Sequence, residues 1–139
     1  MPGYLAKQDA LAAAGVDEVL VVCINDAAVM EAWAADQGCL DNAKRRSLKF
    51  VDSDRADGLV TFAADTHGAL TEGLGMVMEP IKNLGGMRSL RYAAVFDNGF
   101  ATHVAVSGLP GVDAAGDAFY ANSCVDAILD VLAESPGAS

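Results

Sequence analysis

Three cysteines are the first residues of this chain whose chemistry could matter. The three are widely spaced, at Cys23, Cys39 and Cys124, and none belongs to a C-x-x-C motif. This spacing is typical neither of a secreted disulfide framework nor of a zinc site. Cys23 lies in an apolar run and Cys124 on an apolar helical stripe, where free cysteine is commonly inert packing. Cys39 follows a helix end, where the helix dipole disfavours a thiolate. The sequence therefore supplies thiols, inert or redox-active, without an activated thiolate.

One arginine stands out because it lies in the most apolar part of the chain. Arg91 is the only charge between Leu90 and Phe96. Two interpretations stay open. Its stem packs along a strand while its head reaches water, or its fixed charge stabilises an anion or a thiolate near the end of a sheet.

Other kinds of site find little support. His67 and His103 have no histidine or cysteine neighbour at ligand spacing, so no metal site is expected. No Walker loop, G-x-G-x-x-G or G-x-S-x-G occurs, and no cofactor is expected. The net charge of −10 disfavours nucleic acid and anionic membranes, and the apolar run at 19–24 is too short to span a bilayer. A reducing cytoplasm is the expected compartment.

The elements that must position these residues alternate between helices and strands, as in an α/β domain. At their centre, Asn98-Gly99 favours a type I′ turn between two arms, 90–97 and 100–107. Both arms have two partly apolar faces, which predicts a sheet covered on both sides. The run 19–24 predicts a strand buried on both faces. The remaining predictions are helices over 1–14, 27–37, 67–73 and 123–134, a strand over 59–64, and irregular segments over 39–57, 75–86 and 108–116. Gly15 is expected to end the first of these helices, and Asn25-Asp26 and Asp65-Thr66 are expected to cap the starts of the second and third.

Four segments together resemble the peroxiredoxin 5 and plant type II peroxiredoxin group. The most specific are the Asn-Asp-x-x-Val-Met-x-x-Trp block at 25–33 and the Arg-Tyr-Ala strand at 91–93. The resemblance implies a thioredoxin-like mixed sheet flanked by helices. It also implies thiol-dependent reduction of hydrogen peroxide and organic hydroperoxides, with glutaredoxin or thioredoxin as reductant. The segments are MPGY (1–4), GVDEVLVVCINDAAVMEAW (15–33), FAADTHGALTEGLGM (62–76) and GGMRSLRYAAVFDNGFATHVAVS (85–107).

The resemblance also implies roles for particular residues. Arg91 aligns with the family arginine that stabilises the thiolate and polarises the peroxide O–O bond. The peroxidatic cysteine of the family lies in a P-x-x-x-T-x-x-C motif that would precede Met1, and no cysteine of this chain has that proline and threonine before it. Cys23 and Cys124 lie near, but not at, the resolving positions of plant and mammalian members. We therefore expect a chain inactive as a peroxidase, with Cys23 and Cys124 as possible redox thiols.

The missing motif has a structural counterpart. The resemblance implies one domain over 1–139, N-terminally truncated, without the family's N-terminal and central strands. The central strand would lie between 18–24 and 90–97, so two sheet edges would face an empty slot. Three alternatives stay open: these strands pair directly, another segment or chain fills the slot, or the chain is part of a longer protein. We expect a homo-oligomer or pairing with a related chain, as a pseudo-enzyme or a cysteine redox sensor if not an enzyme. An organelle is possible if an N-terminal segment is missing.

Overall fold

The computed structural model describes residues 1–39 and 58–134. The chain divides into two compact units, Met1–Leu70 and Thr71–Ser139. Apart from Cys39, the segment predicted to be irregular over 39–57 lies outside the described residues.

The first unit opens with two short helices, α1 (Pro2–Ala6) and α2 (Gln8–Ala13), where the sequence predicts one helix over 1–14. They are separated at Lys7, whose φ is −114°. Gln8 explains part of the break, because its side chain donates to Leu5 O and accepts from Leu59 N at 2.6 Å. This tertiary bond fixes the start of α2 in a way that helix propensity cannot foresee.

A two-stranded parallel sheet forms the centre of the first unit. Strand β1 (Val19–Cys23) pairs residue by residue with β2 (Val60–Ala64). One face of β1 packs on the core through Val19, Val21 and Cys23, whereas Leu20 on the other face is 58% exposed. The prediction that this strand is buried on both faces is therefore wrong, because only one of its faces packs on the core.

Helix α3 (Ala27–Asp36) covers the core face of that sheet. It begins where predicted, since Asp26 Oδ1 accepts the N–H of Val29 at 2.9 Å in an N-cap. It ends at Asp36, and Gly38 two residues later has a left-handed φ of +82° that turns the chain away from the helix axis. The core contains Met30, Ala34, Val60 and Phe62. Trp33 meets the ring of Phe62 edge-on, with 4.9 Å between centroids.

A short helix, α4 (Ala69–Gly73), follows β2. Asp65 Oδ1 accepts the N–H of Leu70, so the predicted capping role of Asp65 is confirmed. The helix begins two residues later than the predicted 67–73, a shift of the usual size for helix ends.

The second unit contains the predicted hairpin. Strand β3 (Tyr92–Asp97) pairs antiparallel with β4 (Phe100–Val106), and Asn98 and Gly99 both have positive φ, as a type I′ turn requires. A bulge between Val95 and Phe96 shifts the register. Ala105 and Ser107 are buried, but Val104 and Val106 on the other face are 46% and 39% exposed. The prediction of a hairpin covered on both faces is therefore wrong.

The last helix, α5 (Val125–Glu134), is preceded by a 3₁₀ turn at Ala121–Ser123. Its apolar residues Val125 and Ile128 are buried. The sequence predicts that Cys124 lies on the apolar stripe of this helix. That prediction is wrong, because Cys124 precedes the helix. Its C=O accepts the N–H of Ile128 and its φ and ψ of −76° and 157° are extended, which together define an N-cap position.

Candidate functional site

Arg91 lies immediately before β3, opposite the end of β4. Its C=O accepts the N–H of Ser107 at 2.8 Å, which anchors the arginine backbone to the sheet. Its guanidinium Nη2 lies 2.9 Å from Asp117 Oδ1, and the two side chains are 49% and 75% exposed. The arginine head is therefore directed by a carboxylate yet remains open to solvent, and a guanidinium with five N–H donors can bond a further acceptor there.

Ser107 connects the end of β4 to the segment that carries Cys124. The Ser107 side chain is 2% exposed, its Oγ donates to Asn122 Oδ1 at 2.6 Å, and a 2.7 Å hydrogen bond joins it to Ser123 Oγ. Asn122 Nδ2 in turn donates to Val106 O at 2.8 Å. This network places Arg91 and Cys124 in one hydrogen-bonded neighbourhood of the second unit.

The three thiols have different surroundings, although each is half-buried and none forms a disulfide bond with another described residue. Cys124 Sγ lies 3.5 Å from Tyr120 O and donates to it, an interaction that only the protonated thiol can make. Cys23 and Cys39 belong to the first unit, where both pack against the core cluster around Phe62. Cys124 thus belongs to the same unit as Arg91, whereas Cys23 and Cys39 belong to the other unit.

Sequence reasoning missed the acidic residue that pairs with Arg91. Asp117 comes 26 residues after Arg91, and no local pattern marks such a pair. The available signal is the glycine- and aspartate-containing stretch GVDAAGDAF (111–119), which begins inside the irregular segment predicted over 108–116. That loop is ordered by Asp113, whose carboxylate accepts three backbone N–H groups.

The described residues were compared with the requirements of a metal site and of a membrane-spanning helix. Within 1–39 and 58–134, no three or more His, Cys, Asp or Glu side chains are grouped to hold a metal ion. His67 is exposed and His103 half-buried, on separate elements. Over the same ranges, no helix has the length and apolar content of a membrane span.

Comparison with known proteins gives consistent likenesses. A family model described as Redoxin matches residues 1–118. Peroxisomal membrane associated protein 20 of Schizosaccharomyces pombe is 34% identical over 99 residues, covering 71% of this chain and 54% of that protein. Peroxiredoxin-2C of Oryza sativa subsp. japonica is 34% identical over 98 residues, covering 70% of this chain and 50% of that protein. The chain thus spans about half the length of the curated relatives it matches.

Solved structures extend the likeness to the fold. Reduced Prx3 from Vibrio vulnificus, in complex with hydrogen peroxide, superposes with a TM-score of 0.70 at 30% identity. The match covers 96% of this chain and 66% of that one. The predicted α/β, thioredoxin-like fold class is confirmed by this likeness.

Proposed function

This chain belongs to the redoxin family, within its peroxiredoxin 5 and plant type II group, and on that premise we propose that it serves thiol-dependent reduction of hydrogen peroxide and organic hydroperoxides. The observation that carries the proposal is the half-exposed guanidinium of Arg91, anchored through its backbone to Ser107 and directed by Asp117. Glutaredoxin or thioredoxin is the proposed reductant, by family resemblance.

The chemistry explains why such an arginine is needed. A thiolate sulfur attacks one peroxide oxygen, the O–O bond breaks, and the sulfur becomes a sulfenic acid. The other oxygen leaves with the electron pair of that bond and takes a proton, forming water or an alcohol. Negative charge therefore moves from sulfur to oxygen, and a fixed guanidinium with several donors stabilises it throughout.

We propose that the attacking cysteine lies outside residues 1–139. Cys23, Cys39 and Cys124 all lack the proline and threonine of P-x-x-x-T-x-x-C. The Cys124 thiol is moreover held as a hydrogen-bond donor by Tyr120 O. Residues 1–139 then contribute Arg91 and its supporting loop but no peroxidatic cysteine.

A peroxide-consumption assay tests this proposal. The purified 139-residue chain, supplied with thioredoxin or glutaredoxin, should consume hydrogen peroxide no faster than a free thiol. Cys23→Ser, Cys124→Ser and the matched control Cys39→Ser should all remain at that background. Turnover well above background that is abolished by Cys23→Ser or Cys124→Ser would mean that the active cysteine lies within the chain.

The reading frame upstream of Met1 tests the role of Arg91. In-frame codons for a strand followed by P-x-x-x-T-x-x-C would give an extended chain, in which peroxide turnover is expected. In that chain Arg91→Met should lower kcat/KM by about 10²–10³-fold, the usual loss for a preorganised electrostatic group. A stop codon there would instead favour a non-catalytic role.

A second candidate function is binding without catalysis, and the edge of β1 favours it. The Val19 N–H and the Cys23 C=O point to the β2 side, so strand alternation turns the N–H and C=O groups of Leu20 and Val22 to the opposite edge. Among the described strands none pairs at that edge. An uncharged, β-prone edge favours pairing with a second copy or a related chain.

A third candidate function is redox sensing by Cys23 or Cys124. Cys124 favours it because its thiol is only half-buried and its hydrogen bond to Tyr120 O is long, at 3.5 Å. Trapping of sulfenic acid after mild peroxide treatment, located by mass spectrometry, tests it. Labelling at Cys124 or Cys23 above that at Cys39 supports a sensor, and equal labelling at all three contradicts it.

The compartment is also a proposal. Three cysteines with no disulfide bond between them favour a reducing compartment, for which we propose the cytoplasm. An organelle would follow if an upstream frame encodes a targeting segment. Localisation of a C-terminally tagged protein, expressed from its natural locus, distinguishes the two.

A further inference from the structure

The loop of residues 108–119, in the second unit, is organised around one carboxylate. Asp113 Oδ1 accepts the N–H of Asp117 at 3.0 Å, and its Oδ2 accepts those of Ala118 and Phe119, each at 3.1 Å. The Asp113 main chain also takes part, since its C=O accepts from Leu109 N at 3.0 Å and from Gly116 N at 3.1 Å. A single residue therefore fixes both halves of the loop.

Two glycines hold this loop tightly against the end of β4. Gly108 and Gly116 have φ values of +100° and +70°, which side chains rarely adopt. A Cβ at Gly108 would clash with Asp113 O, and a Cβ at Gly116 would lie 3.0 Å from Ser107 O. The path of the loop beside Ser107, the residue that anchors the Arg91 backbone, is thus set by close backbone contacts.

This construction determines where the Asp117 carboxylate lies. The Asp117 N–H is bonded to Asp113, while the Asp117 side chain is 75% exposed and reaches Arg91. An exposed ion pair is usually weak because two mobile side chains must be ordered together. Fixing the backbone of one partner beforehand lowers that entropic cost, so the guanidinium meets a preset carboxylate.

We propose that Asp113 is a positioning residue for Arg91, which acts by holding the backbone of residues 117–119 so that the Asp117 carboxylate orients the guanidinium. The inference rests on the proposed function, in which Arg91 faces the charge that develops on sulfur and peroxide oxygen. It assigns a role to a loop that the cysteine and arginine motifs do not include.

The ionisation of Asp113 agrees with this role. Partial desolvation acts to raise the pKa of Asp113, but the backbone N–H groups of Asp117, Phe119, Ala118 and Gly116 outweigh it and lower the pKa below the ordinary 3.8. The side chain is therefore a carboxylate at neutral pH, and both oxygens can accept hydrogen bonds.

Modification of arginines by phenylglyoxal, followed residue by residue with mass spectrometry, tests the inference. Arg88 lies in the same unit and is the internal reference. Asp113→Asn replaces one accepting oxygen by an NH₂ donor that faces backbone N–H groups. The ratio of Arg91 to Arg88 modification rates should rise by about two- to fivefold, within the range for release of an exposed ion pair. Asp117→Asn should give the same rise.

Two further variants separate positioning from general loosening. Asp130→Asn removes the same charge from an exposed position of α5 and should leave the ratio unchanged. The double variant Asp113→Asn/Asp117→Asn should give no larger rise than either single variant, because Asp113 acts through Asp117. If Asp113→Asn fails to fold, Asp113→Glu keeps the charge but displaces the carboxylate, and the same rise is expected.

An unchanged ratio in a folded Asp113 variant, or an additive rise in the double variant, would overturn the inference. Peroxide takes no part in these measurements. Failure of the proposed function would appear separately, as absent turnover in the extended chain.

Discussion

Arg91 Nη2 and Asp117 Oδ1 lie 2.9 Å apart, although 26 residues separate them in sequence. Each partner is held through its backbone: the Arg91 C=O accepts the N–H of Ser107, and the Asp117 N–H donates to the Asp113 carboxylate. Because both side chains are substantially exposed, solvent screens their attraction. The contact therefore orients the arginine more than it stabilises the fold.

The first prediction concerns the stability of Arg91 variants. Arg91→Met should change the free energy of unfolding by less than ~1 kcal/mol, because an exposed ion pair contributes little. Urea denaturation measures the change, with Asp117→Asn as the matched variant expected to behave alike. A loss above ~2 kcal/mol would identify Arg91 as a structural arginine with a desolvated partner.

The second prediction concerns acid. Because the folded-state pKa of Asp113 lies below its ordinary 3.8, its contribution to stability is complete above that pH and is lost as pH falls through the folded-state pKa. The amide signals of Ala118 and Phe119 should report this loss by NMR, below pH 3.8. Asp113→Asn should show no such step, and a midpoint above 3.8 in the wild type would contradict the prediction.

The third prediction concerns the polar network at the end of β4. Ser107 is 2% exposed, and Ser107→Ala removes its bonds to Asn122 and Ser123. We expect a loss of ~1–2 kcal/mol in thermal or urea unfolding, typical for a buried hydroxyl with partners. Thr102→Ala, which removes only an exposed 3.3 Å bond to Val95 O, is the control and should change stability by at most ~0.5 kcal/mol. Equal effects of the two would argue against a buried network.

The fourth prediction concerns the core of the first unit. Phe62 is fully buried and meets Trp33 edge-on. Phe62→Ala should destabilise the protein by ~3–5 kcal/mol, since both transfer energy and cavity formation act against the variant. Phe100→Ala, at a ring that is 77% exposed, is the matched control and should lie within ~0.5 kcal/mol of wild type. A loss below ~1 kcal/mol for Phe62→Ala would mean that the core refills the space.

The fifth prediction concerns the open edge of β1. We expect light scattering to show concentration-dependent self-association. Val22→Pro removes an N–H that faces the open edge and should reduce association, because proline is tolerated at edges but cannot donate there. Val22→Ala keeps that N–H and should associate like the wild type. A monomer at all concentrations would contradict the proposed pairing.

Local sequence signals predicted the helix ends and the hairpin turn of this fold well. The helix stop at Gly15 is confirmed, with Val16 N bonded to Leu11 O in the pattern of a Schellman motif. The Asp26 N-cap and the Asn98-Gly99 turn are confirmed for the same reason. Each depends on the φ or hydrogen bonding of a few neighbouring residues, and such information is present in the sequence itself.

Burial was predicted less well. The apolar runs in β1 and in the hairpin were expected to be covered on both faces, yet Leu20, Val104 and Val106 are exposed. An apolar side chain indicates only that its burial would be favourable. Whether another layer of secondary structure covers the second face of the strand depends on residues far away in sequence.

The sequence by itself determined the α/β class, the order of the main elements and the resemblance that identified Arg91, because periodicity, turn chemistry and motif spacing are local properties. Only the tertiary structure decided that Asp117 reaches Arg91, that Asp113 fixes the backbone of residues 117–119, and that Cys124 occupies the N-cap position of α5. These contacts depend on how a loop returns to a strand end. Folding brings such groups within ~3 Å of each other although no periodic pattern in the sequence marks them as partners.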